Sequence, residues 1–199
     1  MKILIVGANG TIGKAVIDEL KPRHEIITAS TSSGDIKLDI TDINSIKNMY
    51  EKVKNIDAII LTAGKVHFGE INEMTEKEYA IGLNNKLMGQ VNVVLLGLNY
   101  LNDSGSFTLT SGIINRDPVK FGSSAAMVNG AIDGFVRNAS IEMPRNIRIN
   151  CVSPTILTES LENLAPYFRG FQSVPAKKVA LAYSKSAEGL QNGQIYCVN

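Results

Sequence analysis

The sequence predicts an α/β protein built as a single-domain Rossmann-like fold, with one doubly wound parallel sheet in the middle of three layers. Short runs of β-branched and other apolar residues alternate with longer runs of helical periodicity along the whole chain. Such alternation is typical of a parallel sheet covered by helices. The first apolar run also leads directly into a glycine-rich turn, as in nucleotide-binding sheets. The 199 residues suit one globular domain, residues 1–199.

Each predicted strand is a short apolar run, and each predicted helix is a longer segment between two such runs. The predicted strands are residues 2–6, 24–29, 58–61, 106–110, 148–152 and 194–198. The predicted helices are residues 11–21, 42–53, 76–100, 123–142 and 175–188. Right-handed crossovers between parallel strands put helices on both faces. The carboxyl ends of the strands then form the edge where a ligand binds.

The turn after the first strand, Gly7-Ala8-Asn9-Gly10-Thr11-Ile12-Gly13, is suited to a dinucleotide. Glycine allows a sharp turn and a close approach of the backbone to a pyrophosphate, whose charge the amides and dipole of the following helix stabilise. The spacing G-x-x-G-x-x-G differs from the usual G-x-G-x-x-G, and a purely structural turn is the alternative. The predicted binding residues here are Gly7, Asn9, Gly10, Thr11, Ile12 and Gly13.

Charge and composition argue against several classes of function. With 20 basic and 19 acidic side chains the net charge is +1, which is not the basic footprint of a nucleic-acid binder. No apolar run approaches the roughly 20 residues of a membrane-spanning helix, and the first residues lack a signal-peptide pattern. We therefore expect a soluble, cytoplasmic protein without nucleic-acid or membrane partners. Cys151, Cys197, His24 and His67 lack the spacing of metal ligands, so we expect no metal site.

Five further segments are informative through their order along the chain: Leu38-Asp39-Ile40-Thr41, Thr62-Ala63-Gly64, Ser106 to Gly112, Arg148 to Pro154, and Gly193-Gln194. Together with the glycine turn they resemble the short-chain dehydrogenase/reductase family over nearly the whole chain. In that family the first of these segments holds the adenine and the second forms the N-A-G motif. The third ends in the catalytic serine, the fourth leads to the nicotinamide, and the fifth precedes the last strand. The resemblance implies that the dinucleotide also contacts Asp39, Ile40, Ala63, Gly64, Pro154 and Thr155.

The chain departs from this family at the catalytic positions. The family's proton donor is the tyrosine of Y-x-x-x-K, and the small residues and glycine that normally follow this motif place Ala125 at the tyrosine and Asn129 at the lysine. By the same comparison Lys86 occupies the position of the active-site asparagine, although a slip of one or two residues in register would restore an asparagine there. Ser111 is the one member of the catalytic tetrad that is kept.

The resemblance therefore implies two catalytic residues, Ser111 and Lys86. Ser111 would hydrogen-bond the oxyanion that hydride transfer creates, and Lys86 would supply positive charge and a proton. A partly apolar site would lower the pKa of a lysine, which is the direction that a general acid near neutral pH needs. The alternatives are a solvent-directed Lys86 and a turn-forming Ser111. Asp133 is interpreted as part of the solvated face of its helix.

The choice of cofactor is predicted from the end of the second strand. An acidic residue there binds the ribose hydroxyls of NAD, whereas the 2′-phosphate of NADP needs hydrogen-bond donors or positive charge. The run from Thr28 to Gly34 includes four consecutive hydroxyl side chains, and no carboxylate follows before Asp35. We predict NADP, with NAD less favoured and an ordinary Ser/Thr loop as the alternative. The predicted contacts are Ser30, Thr31 and Ser32.

These observations favour an NADP-dependent oxidoreductase that transfers hydride to or from a small carbonyl or hydroxyl compound through an atypical active site. The missing tyrosine and lysine leave a second function open, an NADP-binding redox sensor or interaction protein without turnover. His67 and Phe68 follow the T-A-G turn, where the family's substrate loop begins. The family pairs long helices across a two-fold axis, and small or apolar positions beyond one core stripe favour a homodimer or homotetramer: Gly89, Val93, Gly97, Ala131, Phe135 and Ala139.

Overall fold

One seven-stranded sheet forms the centre of the structure, a computed structural model that describes residues 1–199. The strands are β1 (Lys2–Val6), β2 (Glu25–Ser30), β3 (Ile36–Lys37), β4 (Ile56–Leu61), β5 (Leu101–Thr110), β6 (Arg148–Pro154) and β7 (Ile195–Val198). All neighbouring strands are parallel, in the order β3-β2-β1-β4-β5-β6-β7. The chain thus winds outward in both directions from the β1–β4 pair, which confirms the predicted doubly wound Rossmann-like class.

Helices cover the sheet on both sides. They are α1 (Thr11–Leu20), α2 (Ile43–Lys52), α3 (Glu76–Gly82), α4 (Met88–Gly97), α5 (Ser123–Ala139), α6 (Leu161–Leu164) and α7 (Ala176–Glu188). Side chains of α2, α4 and α5 pack on one face of the sheet, and those of α1 and α7 pack on the other. The molecule therefore has the three predicted layers. None of these helices combines the length and the apolar character that crossing a membrane requires.

The central strands are buried on both faces, which explains their uninterrupted apolar sequence. Successive side chains of a strand point to opposite faces, and in β1 Leu4 and Val6 contact the α2 side while Ile3 and Ile5 contact the α1 side. All four are at most 1% exposed. A parallel sheet between two helical layers therefore needs continuous hydrophobic runs rather than alternation with polar residues.

The helix predicted over residues 76–100 is interrupted in the structure. It consists of α3, a π-helical turn (Leu83–Leu87) and α4. A π turn has i→i+5 hydrogen bonds and so accommodates an extra residue, and such turns occur frequently at functional sites. The periodicity of the sequence does not reveal this insertion. The turn contains Lys86, so it decides which way that side chain points.

Two short elements and several element bounds also differ from the prediction, since β4 begins at Ile56 rather than at residue 58 and α5 ends at Ala139 rather than at residue 142. β3 and α6 have two and four residues, which is too short to produce a periodic signal. β5 begins at Leu101 rather than at residue 106, and its pairing with β4 has a register shift between Ile56 and Ala58. The polar residues at the start of β5 hid this extension because they interrupt the apolar pattern.

The small residues of α4 face the core, contrary to the interpretation that placed them outside it. A Cβ at Gly89 would lie 2.7 Å from Ile40 Cδ1, and one at Gly97 would overlap with Tyr50 Oη. Val93 is fully buried. These positions therefore let α4 approach the large side chains below it. Ala131 on α5 is exposed, as expected. The large outward apolar residues of α4 and α5 are Met88, Leu95 and Met127, which are 41%, 53% and 42% exposed.

Substituting alanine at two helical glycines should have opposite effects on stability. Gly97→Ala should lower the free energy of unfolding by about 1–3 kcal/mol, because its methyl group would displace the buried Tyr50 ring, whose hydroxyl donates to Val93 O at 2.6 Å. Gly134→Ala, where no atom lies within 4 Å of the added Cβ, should raise it by about 0.5–1 kcal/mol. Urea unfolding of both variants measures this. Equal effects of the two substitutions would contradict the packing described for α4.

Candidate functional site

A cleft of about 480 Å³ lies at the carboxyl edge of the sheet, where the strand order reverses between β1 and β4. We call it the nucleotide cleft. Open α/β sheets bind ligands in such a crevice. The predicted cofactor residues that line it are Gly7, Asn9, Gly10, Ser30, Thr31, Ser32, Asp39, Ile40, Ala63 and Gly64.

The glycine turn at the floor of the nucleotide cleft fits a pyrophosphate. Gly7 has φ +88°, and a Cβ there would lie 2.6 Å from Ala63 N, so only glycine allows this turn. At Gly10 the nearest atom to an added Cβ is Gly7 O at 3.4 Å, which leaves the backbone open towards the cleft. Gly10 is the N-cap of α1 and offers no side-chain hydrogen bond to the helix. The first amides of α1 are therefore available to an anion.

Hydroxyl groups gather around Asn9 where β2 ends. Asn9 Nδ2 donates to Ser30 Oγ at 2.6 Å and to Ser33 Oγ at 2.9 Å. The carboxylate of Asp35 is held by Thr28, whose backbone N and Oγ1 both donate to Asp35 Oδ2 and lower the pKa of Asp35. Asp35 is not among the residues of the cleft. The rim near β2 therefore presents hydroxyls and an amide rather than a carboxylate.

The remaining predicted cofactor residues lie outside the nucleotide cleft. Thr11 borders a neighbouring groove beside α1, and Ile12 packs against the core between α1 and α7. Gly13 is buried against the carbonyl oxygen of Gly7, so it allows α1 to pack closely against the turn. Pro154 and Thr155 line a second, adjacent cleft.

This second cleft, of about 200 Å³, contains both predicted catalytic residues and is here called the apolar cleft. Its polar groups include Lys86, Ser111, Asn129 and Thr155. Most of its wall is hydrophobic. The larger apolar side chains are Val66, Phe68, Ile113, Ile114, Ile156, Leu157, Leu164 and Phe168.

Lys86 points into the apolar cleft rather than into solvent. Its Nζ donates to Ser111 O and to Asn129 Oδ1, each at 2.8 Å. Burial lowers the pKa of Lys86 to about 8, because the charged form loses hydration. The stem of Lys86 passes over Gly64, where an added Cβ would lie 2.5 Å from Lys86 Cγ.

The residue before Lys86 faces the other cleft. Asn85 Oδ1 accepts a hydrogen bond from Lys65 N at 2.7 Å and lines the nucleotide cleft. Adjacent residues of the π turn, Asn85 and Lys86, therefore line different clefts. Asn84 is exposed.

Ser111 is held at the end of β5 with its hydroxyl unused. Its backbone N donates to Val152 O at 3.0 Å, and its carbonyl oxygen accepts from Lys86. Ser111 Oγ is buried and makes no hydrogen bond, an uncommon state for a polar atom and one that a ligand group would relieve. The neighbouring thiol of Cys151 stays protonated near neutral pH, because burial raises its pKa to about 12.

The sequence predicts that Asp133 lies on a solvated helix face, and the structure corrects this. It is only 2% exposed, and its Oδ2 accepts from Asn115 Nδ2 at 2.7 Å. The available signal was spacing, because Asp133 follows Ala125 and Asn129 at helical intervals and so shares their face. Of the loop residues, Phe68 lines the apolar cleft, whereas His67 lines neither cleft.

Several known proteins are similar to this chain in sequence. A family model described as enoyl-(acyl carrier protein) reductase matches residues 7–196. Short chain dehydrogenase claC of Passalora fulva is 27% identical over 157 residues, covering 75% of this chain and 59% of that protein. The bifunctional ribulose 5-phosphate reductase/CDP-ribitol pyrophosphorylase Bcs1 of Haemophilus influenzae is 30% identical over 159 residues, covering 76% of this chain. The matched region spans only 33% of that second relative.

Two solved structures are similar to this chain over its full length. The protein lin1944 from Listeria innocua is 52% identical, with a TM-score of 0.98 and complete coverage of both chains. A small-chain dehydrogenase in complex with NADPH is 24% identical, with a TM-score of 0.89 over 100% of this chain and 96% of that one. At this level of identity, the second likeness shows that the two chains share a fold.

Proposed function

This chain belongs to the short-chain dehydrogenase/reductase family, and from that premise we propose that it is an NADP-dependent oxidoreductase acting on a small carbonyl or hydroxyl compound. The proposal rests above all on the position of Lys86. Its ammonium lies between the carbonyl of Ser111 and the carboxamide of Asn129, in a cleft beside the nucleotide cleft. On the proposed alignment, the lysine and the asparagine of the family's site have exchanged places. The chain thus keeps an ammonium group at the catalytic centre despite lacking the usual pair.

The hydroxyl rim of the nucleotide cleft supports NADP over NAD. Ser30, Thr31 and Ser32 line the cleft at the end of β2, and hydroxyls can donate to a phosphate. The carboxylate that would favour an unmodified ribose is missing there, because Asp35 is bound to Thr28. A protein of the same fold was solved in complex with NADPH, which supports this choice of cofactor.

The residues of the apolar cleft supply what reduction of a carbonyl requires, once NADPH provides a hydride for the carbonyl carbon. Ser111 Oγ, which has no other partner, donates a hydrogen bond to the carbonyl oxygen as negative charge develops. Lys86 then gives a proton to this oxygen, which completes the alcohol, and the neutral amine regains a proton from solvent. Two of the three N–H bonds of the ammonium are already used, so one remains for the substrate.

The lining of the apolar cleft favours an uncharged, hydrophobic aldehyde or ketone. Its outer wall includes Phe68, Ile156 and Phe168, and Lys86 is its only charged side chain. A sugar phosphate would need a further cation to replace the hydration of its phosphate. Lys86 is the one cation of the cleft, so we infer that its substrate differs in class from ribulose 5-phosphate, which the relative from Haemophilus influenzae reduces.

A redox sensor or interaction protein is the second candidate function. Ala125 and Asn129 favour it, because a methyl group and a carboxamide have no acidic proton to donate. In this function NADP binds but no turnover follows. The experiments below separate the two functions by measuring binding and turnover independently.

NADPH should stabilise the folded protein, and NADH should do so much less. Ligand at 100 times its Kd adds about 2.7 kcal/mol to the free energy of unfolding, which a thermal-shift titration detects. Gly7→Val should remove the response to both cofactors, because the side chain would collide with Ala63. Ser32→Asp should weaken NADPH more than NADH by repelling the 2′-phosphate. A larger response of the unmodified protein to NADH would reverse the cofactor assignment.

Reduction of a hydrophobic aldehyde such as benzaldehyde should depend on Lys86. Lys86→Met should lower kcat by about 10²-fold or more through loss of the proton donor, while Lys77→Met on exposed α3 serves as the matched control. Because the ammonium is the active form and its pKa is about 8, the rate should fall above about pH 8. NADPH consumption measures both effects. Ribulose 5-phosphate should be a poor substrate in the same assay.

Unchanged turnover in Lys86→Met and Ser111→Ala would leave these residues without a catalytic role. Binding of NADPH without any turnover would favour the sensor.

We also propose a homodimer or homotetramer that buries the outer apolar residues of α4 and α5. Light scattering should give a multiple of the chain mass, and Leu95→Glu combined with Met127→Glu should reduce it to the mass of one chain. The control is Leu181→Glu on α7, in the opposite layer, where Leu181 is 55% exposed. If the chains form a dimer through α4 and α5, this substitution should leave the mass unchanged. A single-chain mass for the unmodified protein at micromolar concentration would refute this assembly.

A further inference from the structure

Asp133 is a buried carboxylate that the mechanism above does not use. It lies on the face of α5 that also contains Ala125 and Asn129, at intervals of one helical turn. Its side chain belongs to the interior, with only 2% exposure. Acidic residues are rarely buried to this extent unless they are paired.

The hydrogen bonds of Asp133 satisfy only part of its carboxylate. Asn115 Nδ2 donates to Oδ2 at 2.7 Å, but Asp133 Oδ1 and Asn115 Oδ1 are both buried without a hydrogen-bond partner. Asp133 forms no direct ion pair. A buried carboxylate in this state is unfavourable unless a nearby positive charge compensates for the lost hydration. In its ionised form, Asp133 therefore needs an electrostatic partner beyond hydrogen-bond distance.

Lys86 is a cation bound on the same face of α5, and its charge interacts with that of Asp133. Lys86 Nζ is bound to Asn129 Oδ1, and Asn129 is one helical turn from Asp133. The carboxylate favours the charged lysine and opposes the effect of burial on its pKa. From β6 the Cys151 thiol faces the same ammonium, but it is neutral because burial raises its pKa to about 12. No other titratable side chain lines the apolar cleft.

We propose that Asp133 is a positioning residue, the buried counter-charge that keeps Lys86 protonated across the carboxamide of Asn129. A direct ion pair would occupy the N–H bonds of the ammonium and hold its proton too firmly for donation at neutral pH. A carboxylate one turn further along the helix stabilises the charge and leaves an N–H bond free. Asn115 also connects Asp133 to the 3₁₀ turn (Ile113–Asn115) that follows Ser111.

The catalytic meaning of this arrangement rests on the proposed function, but the coupling of Asp133 with Lys86 is measurable without turnover. In protein labelled with ¹³C,¹⁵N-lysine, the Cε and Nζ signals of each lysine titrate individually in NMR spectra without chemical change of the amine, and the Lys86 signal is identified by its absence in Lys86→Met. Asp133→Asn keeps the shape of the side chain and removes its charge. We expect it to lower the titration midpoint of Lys86 by at least about 0.5 pH units. The control is Asp103→Asn, at a surface carboxylate paired with Arg145, and it should leave the midpoint unchanged.

A double-mutant cycle on melting temperature gives a second readout that does not depend on the Lys86 signal. Lys86→Met should lower the melting temperature, because it leaves the Asp133 charge without compensation. Adding Asp133→Asn to that variant should raise the melting temperature again, whereas Asp133→Asn alone should not. Additive effects, or an unchanged Lys86 midpoint in Asp133→Asn, would overturn the proposal.

The outcomes for Asp133 and for the proposed function are distinguishable. If the Lys86 midpoint shifts in Asp133→Asn but no carbonyl is reduced by the unmodified protein, the coupling stands and the oxidoreductase function fails. If Lys86→Met abolishes turnover but the midpoint does not respond to Asp133→Asn, the function stands and the role of Asp133 fails. If both stand, the pH at which turnover declines should be lower in Asp133→Asn than in the unmodified enzyme.

Discussion

Both faces of the seven-stranded sheet are covered by helices, so a polar side chain within it must have a partner or be excluded. Such partners exist on α7, where Ser186 Oγ lies 2.6 Å from Thr108 Oγ1 and Tyr183 Oη lies 2.6 Å from Thr110 Oγ1. On β6, Asn150 Nδ2 donates to Gln191 O at 2.9 Å. Ser106 Oγ on β5 is an exception, because it is buried without a partner. Polar and ionisable side chains that can contact a ligand are therefore concentrated at the carboxyl ends of the strands, where both clefts lie.

Much of the fold is predictable because this constraint acts on short, local runs of sequence. The elements that escape prediction depend on contacts distant in sequence. β3 exists only because Ile36 and Lys37 pair with the end of β2, and two residues have no pattern of their own. Gly97 illustrates the same limit for a helix. A small residue suits a partner helix as well as a bulky core side chain, and the position of Tyr50 decides between them.

The candidate site likewise combines local features, which the sequence can predict, with contacts between residues distant in sequence, which it cannot. The glycine turn and the run of hydroxyl residues Ser30, Thr31 and Ser32 are local features whose chemistry follows from adjacent residues, so their place beside the nucleotide cleft could be predicted. Lys86 and Asn129 could be singled out separately by family order, but 43 residues separate them in sequence, and only the folded chain shows that they are bonded. Asp133 was missed because a carboxylate on a helix is usually solvated. Its burial results from the packing of α5 against the turn after Ser111.

The contact between Gly64 and the stem of Lys86 makes the two clefts mechanically dependent on each other. Ala63 and Gly64 border the nucleotide cleft, and on the other side the methylene groups of Lys86 leave no room for even a methyl group at Gly64. This segment of backbone is thus a partition only one peptide thick. A ligand that presses on it from one side must displace the lysine stem on the other. A shift of Gly64 towards the apolar cleft would therefore move the side chain that carries the ammonium by direct contact, without a moving lid.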